Sequence, residues 1–577
     1  MSKVSRRQFL RLSMMGVGAA VVSGGLQGCL LNSGDAVPIR YDHGVASGDP
    51  LSDRVIIWTR VTPEGDPGAG VWVNWEVARD AGFTDLTHTG YTTTNSSRDY
   101  TVKVDVVNLE PDTTYYYRFI ASGHRSPVGQ MKTLPEGDVD RVRMAVFSCA
   151  NYPAGLFHVY GAAAARDDLD VVVHLGDYLY EYGMGGYATE DAEAIGRALP
   201  SDNASELLTL ADYRKRYALY HTDTNLQALH QKVPFIAVWD DHEVANDTWR
   251  EGAQNHNDGE GEFDERKMQA LQAYFEWMPI RPASESDEQT IYRSFHFGSL
   301  LSLHMMDTRV IARDEQLLYS SYISGNTFNQ DNFEADVTSA SRTLVGAEQY
   351  LWLNNALASS TATWQVLGQQ VLMARIDLPA ELVTQFEDPD PATIFPAFIE
   401  LYGIKQRIID GDNTVTDQER ERVENVVPYN LDSWDGYEAE RDAILDRVRD
   451  LDLNLVVLAG DTHNAWASNL TDSSDNIVGV EFATPSVSSP GLEEYLSLSE
   501  GIVGATEGIL TTLVDDLEYI NVNQRGYMVV TFTPEAAQAD WYFAESVKTQ
   551  TYTELTSRNR SYKTLPGSGN RSLISVS

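Results

Sequence analysis

The sequence predicts a mixed protein of the α+β and α/β classes: an all-β unit over residues 38–135, then a larger unit over 141–545 in which strands alternate with helices. Three observations predict it. Up to about residue 135, apolar residues fall in short β-branched or aromatic runs separated by turn clusters. From about 141 they form continuous apolar runs, as in strands buried on both faces. Several of these runs end in turns bearing Cys, Asp, Tyr or His, where α/β proteins place their chemistry.

The elements follow in order. Ser5-Arg6-Arg7-Gln8-Phe9-Leu10-Arg11 resembles the twin-arginine export signal, and the small apolar stretch after it is too short and too rich in Gly and Ala for a membrane span. Residues 1–28 are therefore expected to be a signal peptide read by the twin-arginine translocation machinery, a route taken by proteins that load cofactors before export. The expected location is periplasmic or extracellular. Leu26-Gln27-Gly28-Cys29 resembles a lipoprotein cleavage box, which would leave Cys29 as a lipid anchor. The alternative is ordinary cleavage nearby, with Cys29 discarded or left free.

Residues 55–60, 71–77 and 100–106 read as strands of the all-β unit, which is predicted to be a small β-sandwich. The stretch from Leu109 to Phe119 resembles the fibronectin type III signature, a turn followed by an aromatic strand. A Gly-, Pro- and charge-rich segment over 123–140 marks a boundary. Beyond it, 143–147, 169–175, 235–239 and 453–459 read as buried strands, 265–278 and 346–358 as helices, and 525–543 as closing strands. Residues 376–430 form an acidic, helical insertion, and 546–577 a polar C-terminal tail. Within the insertion, residues 410–419 partly match an EF-hand calcium loop, but Ile408 occupies the first ligand position and Asn413 the turn glycine. A helix N-terminus preceded by an acidic turn is the favoured reading.

The formal net charge of −41 argues against nucleic acid as a partner, because phosphate backbones are bound by basic surfaces. A solvated acidic surface accounts for it, and any anionic substrate then needs local positive charge such as metal ions.

Such ions have candidate ligands at the strand ends. Cys149 offers a thiolate, Asp177 a carboxylate and Tyr180 a phenolate. The segment from Trp239 to Glu243 offers carboxylates and an imidazole, and Asp461 and His463 a further pair. Any one of these is weak evidence, since a Gly-Asp turn is common and a lone His is more often simply hydrogen-bonded. Together, each after an apolar run, they read as one metal site assembled from several strands.

The Gly-Asp-x-x-Tyr, Asp-His-Glu and Gly-Asp-x-His blocks, at 176–180, 241–243 and 460–463, resemble the calcineurin-like metallophosphoesterase superfamily, near the purple acid phosphatases. The resemblance is closer to the PhoD-like alkaline phosphatases and phosphodiesterases, whose hallmarks stand here at 43–50, 147–149, 174–181, 239–243, 307–309, 434–437 and 458–463. It spans about 41 to 545. It implies a catalytic domain of two packed sheets flanked by helices, a four-layer αββα arrangement. It also implies an exported alkaline phosphatase with phosphomonoesterase and phosphodiesterase activity, acting as a monomer.

Ligand chemistry divides the set. Cys149, Tyr180 and His463 suit Fe³⁺, and the resemblance implies iron there. Asp177 is the natural bridge to a second site, where Asp241 and Asp461 favour a hard divalent ion; the resemblance implies Ca²⁺, one or two. A metal-bound hydroxide or oxide is expected to attack phosphorus. His242, like Asp177 a candidate catalytic residue, is expected to protonate the leaving group or hold a phosphate oxygen, oriented by Glu243 or Asp240. Arg309 reads either as a phosphate clamp or as an ion pair with Asp307. Asn464, next to His463, is expected to support that ligand from behind, and Arg525 is a candidate for facing the site. Competing expectations are a phospholipase D-like diesterase and, from another class, a surface binding or adhesion protein that uses the β-sandwich.

Overall fold

A computed structural model describes residues 37–576 except 69, 285, 286, 288, 326 and 387–389. The expected export signal, residues 1–28, and Cys29 lie outside the described residues.

The apolar runs of the second half pair into two large sheets. The ten-stranded one runs, edge to edge, Ile574–Ser575, Arg560–Thr564, Ala537–Phe543, Gly526–Phe532, Val142–Phe147, Val171–His174, Phe235–Ala237, Val45–Gly48, Arg54–Arg60 and Thr101–Val107. The four strands from Val142–Phe147 to Val45–Gly48 pair in parallel. The seven-stranded one runs Arg293–Phe297, Leu301–Met305, Trp364–Gly368, Leu455–Ala459, Ile477–Ala483, Ala465–Thr471 and Leu517–Asn521.

Leu455–Ala459 shows why such a strand reads as unbroken apolar sequence. Val456 and Leu458 join Val146 and Val173 in the core shared with the larger sheet. Leu455 and Val457 point the other way, onto Leu353 of the helix Gly346–Ser359 and Ile444 of the helix Glu438–Asp450. On the larger sheet, the helices His158–Ala164 and Thr224–Lys232 contribute Val159, Leu226 and Leu229 to the shared core.

The N-terminal unit is not a self-contained sandwich, because three of its strands belong to the ten-stranded sheet. Val71–Ala78, Leu86–Thr94, Thr114–Ala121 and Gly129–Lys132 form a separate sheet, which packs through Val73, Tyr117 and Phe119 against Val55 and Ile57. Those last two belong to a strand of the ten-stranded sheet, so one layer of the N-terminal unit continues into the main body. The join is the parallel contact of Phe235 with Gly48. A side chain at Gly48 would lie 2.3 Å from the Pro279 carbonyl and 2.7 Å from that of Phe235, so only glycine admits the approach. Asp49 fastens the corner through Arg293, at 2.6 and 2.9 Å.

The polar C-terminal tail carries strands of its own: Arg560–Thr564 and Ile574–Ser575 extend the edge of the large sheet. Their residues are mostly polar and only part-buried, which hides the strand signal.

The acidic insertion is closed at its base by the pair Asp377–Pro379 and Val426–Pro428, with the helices Pro391–Ile409 and Asp417–Glu424 between. It packs through Phe398, Leu401 and Ile404 onto Ile509 and Leu513 of the helix Val503–Leu513. The calcium-loop match resolves as a helix start. Thr416 caps the second helix in a reciprocal box with Glu419, while Asp412 accepts from Thr414 and Arg407. No helix of the described residues is long and apolar enough to cross a membrane.

Candidate metal centre and active site

Four strands deliver the chemistry. Val142–Phe147 runs into Cys149, and its parallel neighbour Val171–His174 into Asp177 and Tyr180. Phe235–Ala237 runs into Asp240, Asp241 and His242; Leu455–Ala459, in the other sheet, runs into Asp461 and His463. Cys149, Asp177, Asp461 and His463 all have left-handed backbone, with φ of 60°, 52°, 62° and 63°. That conformation is costly for residues with a Cβ and gathers at functional sites. The strand ends also approach closely: a side chain at Gly176 would lie 2.4 Å from the Asp240 Cβ. The buried Glu243 carboxylate staples them, accepting the backbone N–H of Asp177 at 2.9 Å, Tyr178 at 2.6 Å and Asp240 at 2.7 Å.

The first cluster is Cys149, Asp177, Tyr180 and His463. Ligand atoms of Cys149, Asp177 and His463 lie within 4.8 Å of one another. The Tyr180 hydroxyl is 3.0 Å from Asp177 Oδ2, 3.0 Å from His463 Nε2 and 2.8 Å from Ser489 Oγ. His463 Nδ1 donates to the Pro490 carbonyl at 2.5 Å, which turns the bare Nε2 toward the cluster. Burial pulls its pKa down to about 3, so the ring is neutral. Burial, and then the Asp177 charge, pushes the Cys149 thiol and the Tyr180 phenol well above their usual values.

The second cluster is anionic. Asp177, Asp241 and His242 form one group of converging ligand atoms, and Asp240, Asp241 and Asp461 another. Asp247 donates its backbone N–H to Asp241 at 2.6 Å. Its carboxyl is pushed up to about 7 by burial, then by Asp432 and Asp241; burial likewise pushes Asp461 to about 7, against the pull of Arg309. The fully buried Arg309 guanidinium stands among these acids, donating to Asp240 at 2.6 Å and to Asp432 and Asp461 at 2.7 Å. It does not pair with Asp307, whose carboxylate instead accepts the backbone N–H of Arg309 and Val310.

These residues fit metal cations. Asp177 Oδ1 and Asp240 Oδ2 are buried oxygens with no hydrogen-bond partner. One arginine faces a crowd of carboxylates, and a thiol and a phenol that stay neutral unaided converge on a neutral imidazole nitrogen. A cation relieves each of these costs.

His242 is oriented by a residue the sequence reading overlooked. Its Nδ1 lies 2.7 Å from Glu181 Oε2, and Glu181 Oε1 accepts from the Asn246 backbone and the Asn255 amide, both at 2.8 Å. Glu243 and Asp240 do not do this, because Glu243 is committed to the backbone staple and Asp240 to Arg309. Burial disfavours the His242 charge, but Asp241, Asp177 and Glu181 outweigh it and raise its pKa well above the usual value. Its ring lies 4.1 Å from that of Tyr180.

Asn464 lies behind the site, bonding the Leu492 N–H and the Asn521 carbonyl and so fixing the segment that carries Pro490. Arg525 pairs with Glu493 at 2.5 Å. The sequence reading missed Glu181, Asp247, Asp432 and Ser489. Glu181 stands directly after Tyr180 and Asp432 just before the 434–437 block, the only signals they offered.

A pH dependence follows. Asp247 and Asp461 bind protons more tightly folded than unfolded, so their contribution to stability falls as pH rises from about 4 to about 7. Bound cations hold the ionised form and offset the loss. In chelator, the melting temperature is expected to fall by several degrees between pH 5 and 8, and excess calcium to restore it; a profile unchanged by calcium would contradict this.

Comparison with known proteins agrees with the geometry. The PhoD-like phosphatase profile matches residues 144–541, and that of the PhoD-like phosphatase N-terminal domain matches 31–135. Alkaline phosphatase D of Bacillus subtilis (strain 168) is 35% identical over 516 residues, covering 86% of this chain and 76% of that protein. A solved structure described as that of PhoD is 32% identical, with a TM-score of 0.72 over 95% of this chain and 94% of its own. The strand-end constellation and these matches agree: the chain belongs to the PhoD-like phosphatase family and is a phosphoester hydrolase.

Proposed function

We propose that this protein is an exported alkaline phosphatase that cleaves phosphate monoesters and diesters with Fe³⁺ and one or two Ca²⁺ ions, working as a monomer. The observation that carries this reading is the convergence of Cys149, Asp177, Tyr180 and His463 beside Asp241 and Asp461.

Cys149, Tyr180, His463 and Asp177 would hold the iron, since thiolate and phenolate stabilise a trivalent ion. Asp177, Asp241 and Asp461 would hold calcium, with Asp247 and Asp432 available to a further ion. Bound there, the cations supply Lewis-acid polarisation of the phosphoryl oxygens and lower the pKa of water. The chain's own residues do the rest. His242, aimed by Glu181, is placed to give its proton to the departing alkoxide. Arg309 holds Asp240, Asp432 and Asp461 in register, and Glu243 fixes the turn that presents Asp177. Grip on the phosphoryl group alone explains acceptance of both monoesters and diesters.

The proposal extends to the rest of the chain. Residues 1–28 serve the twin-arginine route to the periplasm or beyond, with Cys29 lipidated or removed. The 38–135 unit is a fibronectin III-like sandwich, 141–545 a four-layer αββα catalytic domain, and 376–430 its insertion.

Hydrolysis of a chromogenic monoester, a diester and a phospholipid, with and without chelator, tests the proposal. Chelator-sensitive turnover of the first two is expected. Preference for the phospholipid favours a phospholipase D-like role, and no turnover of any favours a binding module.

A further inference from the structure

Three tyrosines stand between the buried cluster and solvent. The Tyr187 ring lies 6.1 Å from that of Tyr180 and 6.2 Å from that of His463, near-parallel to both. The Tyr182 ring lies 5.5 Å from His242 and 5.9 Å from Tyr187. Tyr495 ends the short helix Leu492–Tyr495, which follows Pro490, the residue whose carbonyl receives both His463 and Tyr187. The Tyr495 phenol lies close enough to that of Tyr187 for each to shift the other's titration, and Tyr495 is 56% exposed. Tyr182 and Tyr187 are half-buried, whereas Cys149, Asp177 and Tyr180 are closed off from solvent.

Tyr182 thus borders His242, while Tyr187 covers Tyr180 and His463. A leaving group that took the His242 proton would sit beside Tyr182 and, next to it, Tyr187. The flat rings carry no charge; burial holds the phenols above their usual range, so they add nothing to the repulsion an acidic surface exerts on a phosphate ester. Aromatic faces gain energy from another flat ring and little from a methyl or ethyl group.

We propose that Tyr495, with Tyr182 and Tyr187, forms the surface on which the alcohol side of the ester rests, and that this rim favours leaving groups bearing a flat unsaturated ring over small aliphatic ones. The inference rests on the phosphoesterase reading, and Tyr495 is its specificity-determining residue.

Turnover alone would mislead, because aryl alcohols are better leaving groups whatever they touch. The test is therefore binding of phenylphosphonate and methylphosphonate to the metal-loaded enzyme, by calorimetry, with parent, Tyr495→Ala and Tyr495→Phe. The parent should prefer phenylphosphonate. Tyr495→Ala should weaken phenylphosphonate roughly tenfold and leave methylphosphonate unchanged, whereas Tyr495→Phe should keep the preference. A preference that survives Tyr495→Ala, or equal weakening of both ligands, overturns the rim. Failure of the parent to bind either ligand overturns the phosphoesterase reading and the rim with it, whereas tight binding without discrimination overturns the rim alone.

Discussion

An Asp177→Asn variant is expected to fold yet turn over phosphate esters on the order of 10³-fold more slowly than the parent. Asp177 is the residue common to both clusters, with ligand atoms near Cys149 and His463 on one side and Asp241 and His242 on the other. Asparagine tolerates the left-handed backbone at φ 52° and can still accept from Tyr180, so geometry survives while one negative charge and one ligand oxygen are lost. Clamping by metal is worth several kcal/mol of transition-state stabilisation, and about 4 kcal/mol corresponds to that factor. Steady-state kinetics beside thermal denaturation checks it. A folded variant within tenfold of the parent would remove Asp177 from the bridge.

The second large effect concerns the proton. His242→Asn is expected to lower kcat by about 10²–10³ with metal content unchanged, the usual worth of a positioned acid. The loss should be greater for alkyl esters, whose alkoxides need the proton, than for aryl ones. Glu181→Gln separates positioning from chemistry. It keeps a hydrogen bond to Nδ1 but removes a charge that helps to raise the His242 pKa. With that pKa lowered, the protonated acid is lost at lower pH, so the alkaline limb of kcat should move toward neutrality. A limb left where the parent has it would reduce Glu181 to a structural residue.

Much of this site was legible because its ligands end apolar runs. Cys149, Asp177, Tyr180, Asp241, Asp461 and His463 each follow a buried strand, and a strand end is visible in one dimension. Partner choice is not. Glu181 and Glu243 flank the motifs equally well, and only the fold shows Glu243 consumed by three backbone N–H groups, leaving Glu181 for His242. Arg309 offers Asp307 as its nearest acid in sequence, yet its guanidinium is claimed by acids from the 240, 432 and 461 segments.

The fold divides likewise. Val142–Phe147, Val171–His174 and Phe235–Ala237 of the larger sheet and Leu455–Ala459 of the smaller were readable from their apolar runs, whereas Leu301–Met305, Trp364–Gly368 and Ile477–Ala483 were not read. The merging of the N-terminal unit into the main sheet depends on the contact between Gly48 and Phe235, with no local signature beyond a glycine. The edge strands Arg560–Thr564 and Ile574–Ser575 are too polar to announce themselves.

The proposed function requires Cys149, Tyr180 and His463 to surround a trivalent ion beside carboxylate-held calcium. Elemental analysis of the exported protein, read with its visible spectrum, meets that claim most directly. Iron near one per chain, calcium beside it, and a phenolate-to-iron absorption band that vanishes in Tyr180→Phe are the predicted result. A colourless, iron-free preparation with full activity would contradict it.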